Sequence, residues 1–360
     1  MPTRQSLASN LAPTSWALHE DQQGLRATAR QFAHERLEPL IGHRTDSASW
    51  RDTVKLAATL DLASLISPEQ MGEMGIHRGD LALVLEQFAA GSLEHAAELT
   101  LSSAALMTLR GLDALYRLPE RELRHYFDGT TSIALGIPDV DATGFWVLRQ
   151  HPGSPVMMIS IVDDHAQLAL ATLPAQPDTL GNVPIAVLGA LSIEHVARLH
   201  AREATRLVPP RQANIAGDPI KHWLTNTAIY LTALLSGAVQ HGVRFALAYS
   251  ATRHTFRKPI LAHQLVAARL ADMLTSAHTI HLFLRWIAEH DGEAPVASVS
   301  QMALHTATEA MDVARELVQL CGGHGYVEGL TPAARFQSVH WFAMLLMKVE
   351  AALSAFTTPA

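Results

Sequence analysis

Apolar residues recur at three- and four-residue steps in the first third of the chain, with charged residues between them. In GLRATARQFAHERLEPLI these apolar positions are Leu25, Ala29, Phe32, Ala33 and Leu37. This period places them on one face of an α-helix. A longer apolar stretch, LALVLEQFAAGSLEHAAELTLSSAALMTLRGL, predicts two helices joined near Gly91. We therefore predict an N-terminal all-α domain over residues 1–128.

The pattern changes to short β-type runs between residues 129 and 208. PVMMISIV and IAVLGAL are separated by stretches rich in Pro, Gly and Asp, including LPAQPDTLGNVP. Such runs between turn residues are typical of strands. They predict a small middle β domain over residues 129–208. A linker with Pro209, Pro210, Gly217 and Pro219 is expected to follow, with helical structure from Lys221 onward.

Two later segments, WLTNTAIYLTALLSGAVQHGVRFALAYS and VASVSQMALHTATEAMDVARELVQL, are apolar on nearly every face. Helices of this kind need neighbours on several sides, which indicates a bundle. Residues 209–360 are thus predicted to form a C-terminal helical bundle domain, and the fold class is α+β. The longest apolar run, Ala228 to Val239, is shorter than the roughly 20 residues that a membrane span needs, so no span is expected.

Composition narrows the expected partners and compartment. Hydrophobic residues make up 48% of the 360 residues and charged residues 17%, which favours burial between subunits in an oligomer. The net charge of -7 is spread out without a basic block, which argues against nucleic acid as a partner. The single cysteine, Cys321, excludes an internal disulfide. Because the N-terminal stretch MPTRQSLASNLAPTSW also lacks the apolar core of a secretory signal, we expect a cytoplasmic protein.

Two segments carry candidate chemistry. QLCGGHGY, Gln319 to Tyr326, places three glycines after a predicted helix, which indicates either a helix cap with a tight turn or the close approach of a ligand. YSATRHTFRKPILAHQ places Arg253 and Phe256 one turn apart at a helix end, followed by Gln264 on a new helix. Arg253 offers a fork of donors to a phosphate, and Phe256 offers a face to a planar ring. An ordinary helical corner with a solvated arginine is the alternative.

The order of these segments resembles the acyl-CoA dehydrogenase family. The sequence has Arg-x-x-Phe, Pro, His-Gln and LADM, then, about 55 residues later, Gln-x-x-Gly-Gly-x-Gly-aromatic. Upstream, LISPEQMGEMGIHRGDLALVLEQFA is similar to the family's N-terminal segment. The resemblance covers most of the chain. It implies an N-terminal helical domain, a small middle β domain and a C-terminal four-helix bundle.

The resemblance also implies FAD as cofactor, an acyl-CoA substrate, and electron-transfer flavoprotein or a similar acceptor as partner. By position, Arg253 would contact the FAD pyrophosphate and Phe256 would lie near the flavin. Gln264 matches a family glutamine that contacts the cofactor or packs. Glycines of the turn would approach a cofactor held mainly by a neighbouring subunit. The residues expected to bind cofactor are Arg253, Phe256, Gln264, Gln319, Gly322 and Gly323.

The family's catalytic carboxylate has no match in this sequence. The usual glutamate, about 20 residues after the aromatic of the glycine turn, falls in Met344 to Lys348, which holds no acid. The alternative family position, on the first long helix of the bundle, is Thr227. Glu350 is the nearest carboxylate and is a weak candidate for a displaced base, against the alternative of a solvated glutamate. The catalytic residue therefore stays unassigned.

Other family positions also differ. Gly136 stands at the threonine of a Thr-Glu-Pro segment that contacts flavin in the family, where Asp139 and Asp141 follow and Thr143 is the nearby hydroxyl. The family's Trp-Ile-Thr strand has no clear counterpart, although FWVL lies nearby. Arg257 replaces a common glycine after Phe256. Gln337 and Ser338 replace an Arg-Asp pair.

His278 and His281 share a helix face at i, i+3, but Asp272 lies six residues earlier and no third ligand joins them at metal-ligand spacing. We expect structural histidines and no metal. Cys321 is expected to be a small buried residue, because no histidine–acid pair is identifiable beside it in the sequence.

Three functions remain open at this point. The first is that the chain is an FAD-dependent acyl-CoA dehydrogenase that forms an α,β double bond and acts as a homo-oligomer. Alternatively, it is a degenerate subunit that completes the FAD site of a homologous partner in a heteromer. The third is a flavin enzyme with other chemistry, such as oxygen activation.

Overall fold

The computed structural model describes residues 18–43, 46–59, 76–127, 129–141, 143–151, 153–162, 165–172, 184–197, 204–206, 218–290, 294–328 and 330–357. Several predicted features lie outside these residues. They are the N-terminal stretch 1–17, residues 65–75 of the upstream motif, most of LPAQPDTLGNVP, and Pro209, Pro210 and Gly217 of the linker.

The N-terminal part of the described chain is helical. Its helices are α1 (Glu20–Phe32, continued by a π-helical turn Ala33–Leu37), α2 (Ser47–Thr59), α3 (Arg78–Ala90), α4 (Leu93–Leu99), α5 (Ser103–Gly111) and α6 (Glu120–Phe127). The predicted apolar face of α1 is buried or half-buried as expected. The prediction of two helices in the following apolar stretch is wrong, because a second break at residues 100–102 separates α4 from α5. The Thr100 hydroxyl donates to the Ala96 carbonyl at 2.7 Å, just where α4 ends.

The middle part is a seven-stranded sheet in the order β5-β6-β2-β1-β3-β4-β7. The strands are β1 (Ala134–Pro138), β2 (Gly144–Arg149), β3 (Pro155–Val162), β4 (His165–Thr172), β5 (Ala186–Leu188), β6 (Leu191–Ala197) and β7 (Ala204–Arg206). β1 and β3 are parallel, whereas the other neighbours are antiparallel. IAVLGAL is not one run, because Gly189 has φ +62° and turns the chain from β5 into β6.

Four long helices form the C-terminal bundle: α7 (Pro219–Thr252), α8 (Gln264–Glu289), α9 (Val296–Cys321) and α10 (Thr331–Thr357). A short hairpin of β8 (His254–Thr255) and β9 (Lys258–Pro259) joins α7 to α8. Pro219 is the first residue of α7 rather than part of a linker, a position where proline's missing N–H costs nothing. None of the described helices is long and apolar enough to cross a membrane.

The bundle, the N-terminal helices and one face of the sheet share a single core. Leu135 and Ile137 of β1 belong to this core, whereas Ala134, Val147 and Met158 belong to a second cluster. α7 contacts α3 so closely that a Cβ on Gly237 would lie 2.0 Å from the Glu86 carbonyl oxygen. α7 thus forms the centre of the molecule, between the N-terminal helices and the other bundle helices.

Candidate functional site

The glycine-rich turn follows directly from the end of α9. Gly322 has φ +56°, a conformation that favours glycine. A Cβ on Gly325 would lie 2.2 Å from the Val318 carbonyl oxygen, so packing requires glycine there as well. Gly323 differs, because nothing lies within 4 Å of its hypothetical Cβ and its φ is not in the left-handed range. The fold of this chain explains two of the three glycines, and Gly323 faces open space.

Arg253 and Phe256 lie on the hairpin and not one turn apart on a helix, so that prediction is wrong. Arg253 ends α7 with extended backbone, and its carbonyl accepts the Ile260 N–H at 2.8 Å. Phe256 and Arg257 form the tip with φ of +50° and +67°. Two left-handed residues match the twist of a two-residue hairpin, which is why glycine suits the position of Arg257. The Phe256 side chain is 91% exposed.

The hairpin and the glycine turn belong to the same end of the bundle. The Tyr249 hydroxyl, one turn before Arg253, donates to the Cys321 carbonyl at 3.3 Å and joins the ends of α7 and α9. Gln319 donates from Nε2 to the Tyr326 hydroxyl at 2.8 Å, which fixes the turn against its helix. Gln264 is the first residue of α8 and is exposed. The side chains of Arg253 and Gln319 are exposed too.

This end of the bundle has unsatisfied polar groups that fit part of a dinucleotide. The Arg253 guanidinium has no hydrogen-bond or ion-pair partner within the described chain. The buried Nε2 of His263 also lacks a partner there, beside the Phe256 ring at a centroid distance of 6.1 Å. A free guanidinium, an exposed ring and an open glycine are groups that suit a pyrophosphate and a planar ring system.

The two positions where the family carries its base hold no carboxylate, and both are built into helices. α10 runs without interruption through Met344 to Lys348, with Leu345 and Leu346 fully buried. Thr227 is fully buried, and its hydroxyl donates to the Trp223 carbonyl at 2.8 Å.

Glu350, the weak candidate for a displaced base, accepts a hydrogen bond from a neighbouring helix. Its Oε1 accepts the Ser300 hydroxyl at 2.7 Å and so links α10 to α9. Ser354, one turn further along α10, donates to the same oxygen at 3.4 Å. This arrangement is that of an interhelical hydrogen bond.

The junction between α7 and β1 is closed by a tryptophan. Trp223 is fully buried, and its indole N–H donates to the Gly136 carbonyl at 3.4 Å. A Cβ on Gly136 would lie 2.8 Å from the Met157 carbonyl oxygen, so a threonine does not fit at this position without a backbone shift. The hydroxyl that the family directs at flavin from this strand therefore has no room here.

The polar groups that follow β1 are engaged with one another. Asp139 accepts the Trp146 indole N–H at 2.9 Å and pairs with His195 Nε2 at 2.5 Å. Lys348 of α10 lies over the same tryptophan ring, 4.9 Å from its centroid. Trp146, His195 and Lys348 were not predicted, because their meeting depends on the register of β2 with β6. The sequence signal for this contact is the alternation of apolar and polar residues in LSIEHVA of β6, which predicts a strand that carries His195.

Asp141 and Thr143 are also engaged, since the Thr143 hydroxyl donates to Asp141 Oδ1 at 2.8 Å. Hydrogen bonds from Thr143 lower the pKa of Asp141. The residues present at this side of the sheet therefore do not fit the hydrogen-bonding role that the family gives this strand.

Arg335 of the last bundle helix is a buried arginine that no pattern in the sequence marks. Its guanidinium is buried and donates to the carbonyls of Ala89, Ala90 and Gly91, which are the last carbonyls of α3 and the residue after it. Burial lowers the pKa of Arg335 to about 10. Ser338 donates to Glu94, whereas Gln337 is exposed.

His281 and Cys321, two residues that the sequence analysis considered for metal binding or catalysis, are both held in packed surroundings. His281 Nδ1 lies 2.8 Å from Glu86 Oε1, and that carboxylate also accepts Ser236 at 2.5 Å and Gln240 at 3.1 Å. Burial raises the pKa of the Cys321 thiol to about 11. Within the described ranges, no three metal-ligating side chains form a cluster.

Glu98 on α4 is a buried carboxyl with a shifted pKa. Its Oε1 accepts the Trp50 indole N–H at 2.5 Å and the Gln150 amide at 2.8 Å, but burial outweighs these bonds and raises its pKa to about 7. Between about pH 4.5 and 7 the native state holds a proton that the unfolded chain has released. The free energy of unfolding therefore falls as pH rises through this window.

We predict that Glu98→Gln removes this slope. The free energy of unfolding of the variant minus that of wild type should be larger at pH 8 than at pH 4. The increase should be on the order of 2–3 kcal/mol, as the pKa shift implies. Urea unfolding at several pH values measures this. Glu35→Gln, which changes an exposed carboxylate on α1, should keep the wild-type slope. A slope equal in Glu98→Gln and wild type would contradict the prediction.

The fold is that of acyl-CoA dehydrogenases. The sequence profile of the acyl-CoA dehydrogenase N-terminal domain matches residues 19–112, and that of the C-terminal domain matches residues 219–347. The chain belongs to the acyl-CoA dehydrogenase family.

Individual relatives agree with this placement. A probable acyl-CoA dehydrogenase of Bacillus subtilis (strain 168) is 24% identical, with 87% of this chain and 91% of the relative covered. The mitochondrial isobutyryl-CoA dehydrogenase of Dictyostelium discoideum is 21% identical, with 89% and 84% covered. The structure of butyryl-CoA dehydrogenase from Megasphaera elsdenii superposes with a TM-score of 0.71 at 17% identity, covering 96% of this chain and 99% of that one.

Proposed function

We propose that this chain is a subunit of an acyl-CoA-oxidising assembly that completes the FAD site of a homologous subunit. In this proposal Arg253, Phe256, Gln264 and the glycine turn approach an FAD held mainly by the partner, and this chain performs no dehydrogenation at its own centre. When bound, FAD supplies the acceptor for the β-hydride of the acyl thioester, and an electron-transfer flavoprotein or a similar acceptor reoxidises it.

The contrast between the two halves of the family site supports this proposal. The end of the bundle is open, with an unpaired guanidinium at Arg253 and free space at Gly323. The junction of α7 and β1 is closed by Trp223, and the nearest family base position on α7 is the buried Thr227. Arg253 would orient a pyrophosphate, and Phe256 would cover a ring and exclude water from it.

The competing function is that the chain itself is a homo-oligomeric dehydrogenase, which membership of the family favours. Co-expression with a catalytic homologue separates the two functions. A colourless chain that becomes yellow only in complex supports the proposal. A yellow homo-oligomer of this chain alone that turns over acyl-CoA would overturn it.

We predict that Arg253→Ala lowers the FAD content of the assembly. Losing charge-assisted hydrogen bonds to pyrophosphate costs about 1.5–3 kcal/mol each, which is roughly 10–100-fold in FAD affinity. The ratio of flavin to protein absorbance after dialysis measures the loss. Arg315→Ala, which removes an exposed arginine paired with Asp312 on α9, is the matched control and should retain FAD.

Gly323→Leu separates a role in the assembly from a role in folding. A Cβ at this position meets nothing within 4 Å in the isolated chain, so the free energy of unfolding should stay within about 0.5 kcal/mol of wild type. In the assembly the same side chain should obstruct the cofactor and lower FAD content. Full FAD occupancy in both Arg253→Ala and Gly323→Leu would remove these residues from the site.

A further inference from the structure

A cleft lies between α1, the C-terminal end of α3, and α7, away from the hairpin and the glycine turn. Its volume is about 860 Å³, which falls within the size range of small-molecule pockets. Gln87 and Gly91 contribute from the α3 side, and Phe245 contributes an aromatic wall from α7. Arg244 lines this cleft nine residues before Arg253, about two and a half helical turns along α7.

Three arginines converge on this cleft. Arg26 and Arg30 lie one turn apart on α1, and Arg244 faces them from α7. Within the described residues, their guanidinium groups have no hydrogen-bond or ion-pair partner. The Arg244 side chain is exposed at the mouth of the cleft, but partial desolvation there, followed by the charge of Arg30, lowers its pKa, so the two groups lie close enough to repel one another.

The carboxylate in the cleft wall, Glu38, contacts two histidines and forms no ion pair with these arginines, although its charge raises the pKa of Arg244. Glu38 Oε2 lies 2.6 Å from His34 Nδ1, and its Oε1 lies 3.6 Å from His241 Nε2. Burial lowers the pKa of His241 to about 2, so this histidine is neutral at physiological pH. Its buried Nδ1 has no partner in the described structure, which leaves one more polar group at the cleft unsatisfied.

Such a concentration of positive charge is unexpected in a chain with a net charge of -7. Like charges held together cost free energy unless an anion binds between them. Guanidinium forks match phosphate oxygens in pairs, and three forks around one cleft suit a doubly or triply charged group better than a single carboxylate. The polar opening and the apolar wall of Phe245 fit a small organic phosphate.

We propose that this cleft binds a small phosphate-bearing anion, with Arg26, Arg30 and Arg244 holding the phosphate groups. The site is independent of the proposed FAD half-site, because it uses different residues on another part of α7. The proposal of this anion site does not depend on whether the chain completes a partner's cofactor site.

Isothermal titration of the full chain with pyrophosphate tests the proposal, with inorganic phosphate and citrate as comparison ligands. We expect saturable binding of pyrophosphate, weaker binding of phosphate, and weaker binding of citrate. Arg30→Gln and Arg244→Gln should each raise the Kd for pyrophosphate about tenfold or more, since each removes a charge-assisted pair. Thermal melts of the same samples show that the variants are folded.

Two control variants locate the site. Arg36→Gln changes an exposed arginine of the π-helical turn Ala33–Leu37, which follows the helix that carries Arg26 and Arg30. Arg36 does not line the cleft, so this variant should leave the Kd unchanged. Arg315→Gln, which changes an exposed arginine of α9 that does not line the cleft, should also leave it unchanged. The proposal is overturned by an absence of saturable binding, or by losses in Arg36→Gln or Arg315→Gln equal to the loss in Arg244→Gln. Citrate binding as tight as pyrophosphate would overturn the phosphate assignment.

Discussion

Purified without a homologous subunit, this chain is expected to show no measurable acyl-CoA oxidation. Removal of the α-proton needs an acceptor within hydrogen-bond reach, and a positioned base contributes about 10²–10⁴-fold. Met344 to Lys348 and Thr227, at the two family positions, offer no carboxylate. Dye reduction with short, long and sterol-type acyl-CoAs measures the activity, and addition of free FAD excludes simple loss of cofactor.

Glu350→Gln is the companion variant for this experiment. Robust wild-type activity that disappears in Glu350→Gln would show that Glu350, despite its bond to Ser300, acts as the base. Robust activity in both proteins would show that another group removes the proton. Either result contradicts our prediction. Thr227→Glu is not expected to restore turnover, because it would bury an unpaired carboxylate in the core, where charge is costly.

Gly237→Ala should destabilise the fold by about 3 kcal/mol or more, or prevent folding. Its Cβ would lie 2.0 Å from the Glu86 carbonyl oxygen, and two helix backbones must separate to relieve that contact. Overpacking of a core typically costs about 1–3 kcal/mol even where side chains give way. Urea unfolding followed by circular dichroism measures the change.

Gly242→Ala on the same helix is the matched control for this prediction. Its Cβ would meet only the Leu317 side chain, at an ordinary contact distance of 3.4 Å. Replacing glycine by alanine within a helix stabilises by up to about 1 kcal/mol, so this variant should equal or exceed wild type. Equal midpoints for the two alanine variants would show that the helices do not approach as closely as described.

The sequence predicted the architecture well where burial leaves a strong periodic signal. α7 and α9 were recognisable because helices that are apolar on nearly every face need several neighbours. The break between α4 and α5 leaves no signal in the sequence, because the apolar pattern continues through it. IAVLGAL has the pattern of one strand because the turn at Gly189 interrupts apolar residues without adding polar ones.

For the candidate site, the order of motifs predicted residues that lie at one end of the bundle, joined there by Tyr249 and the Cys321 carbonyl. Contacts that depend on tertiary placement were not predictable. The indole of Trp223 on the Gly136 carbonyl, and the pairing of Asp139 with His195, join segments far apart in the chain. The arginine cleft is likewise not predictable from the sequence, because Arg244 meets α1 only in the folded chain.

The position of Cys321 gives this protein a built-in kinetic probe. It is the chain's single cysteine, it is buried, and a thiol whose pKa is about 11 reacts slowly with alkylating reagents at neutral pH. Its modification rate is therefore governed by local opening of the end of α9, beside the glycine turn. Mass spectrometry of alkylation over time would measure the free energy of that opening. Slower labelling in the presence of a homologous subunit would report assembly at this end without any cofactor signal.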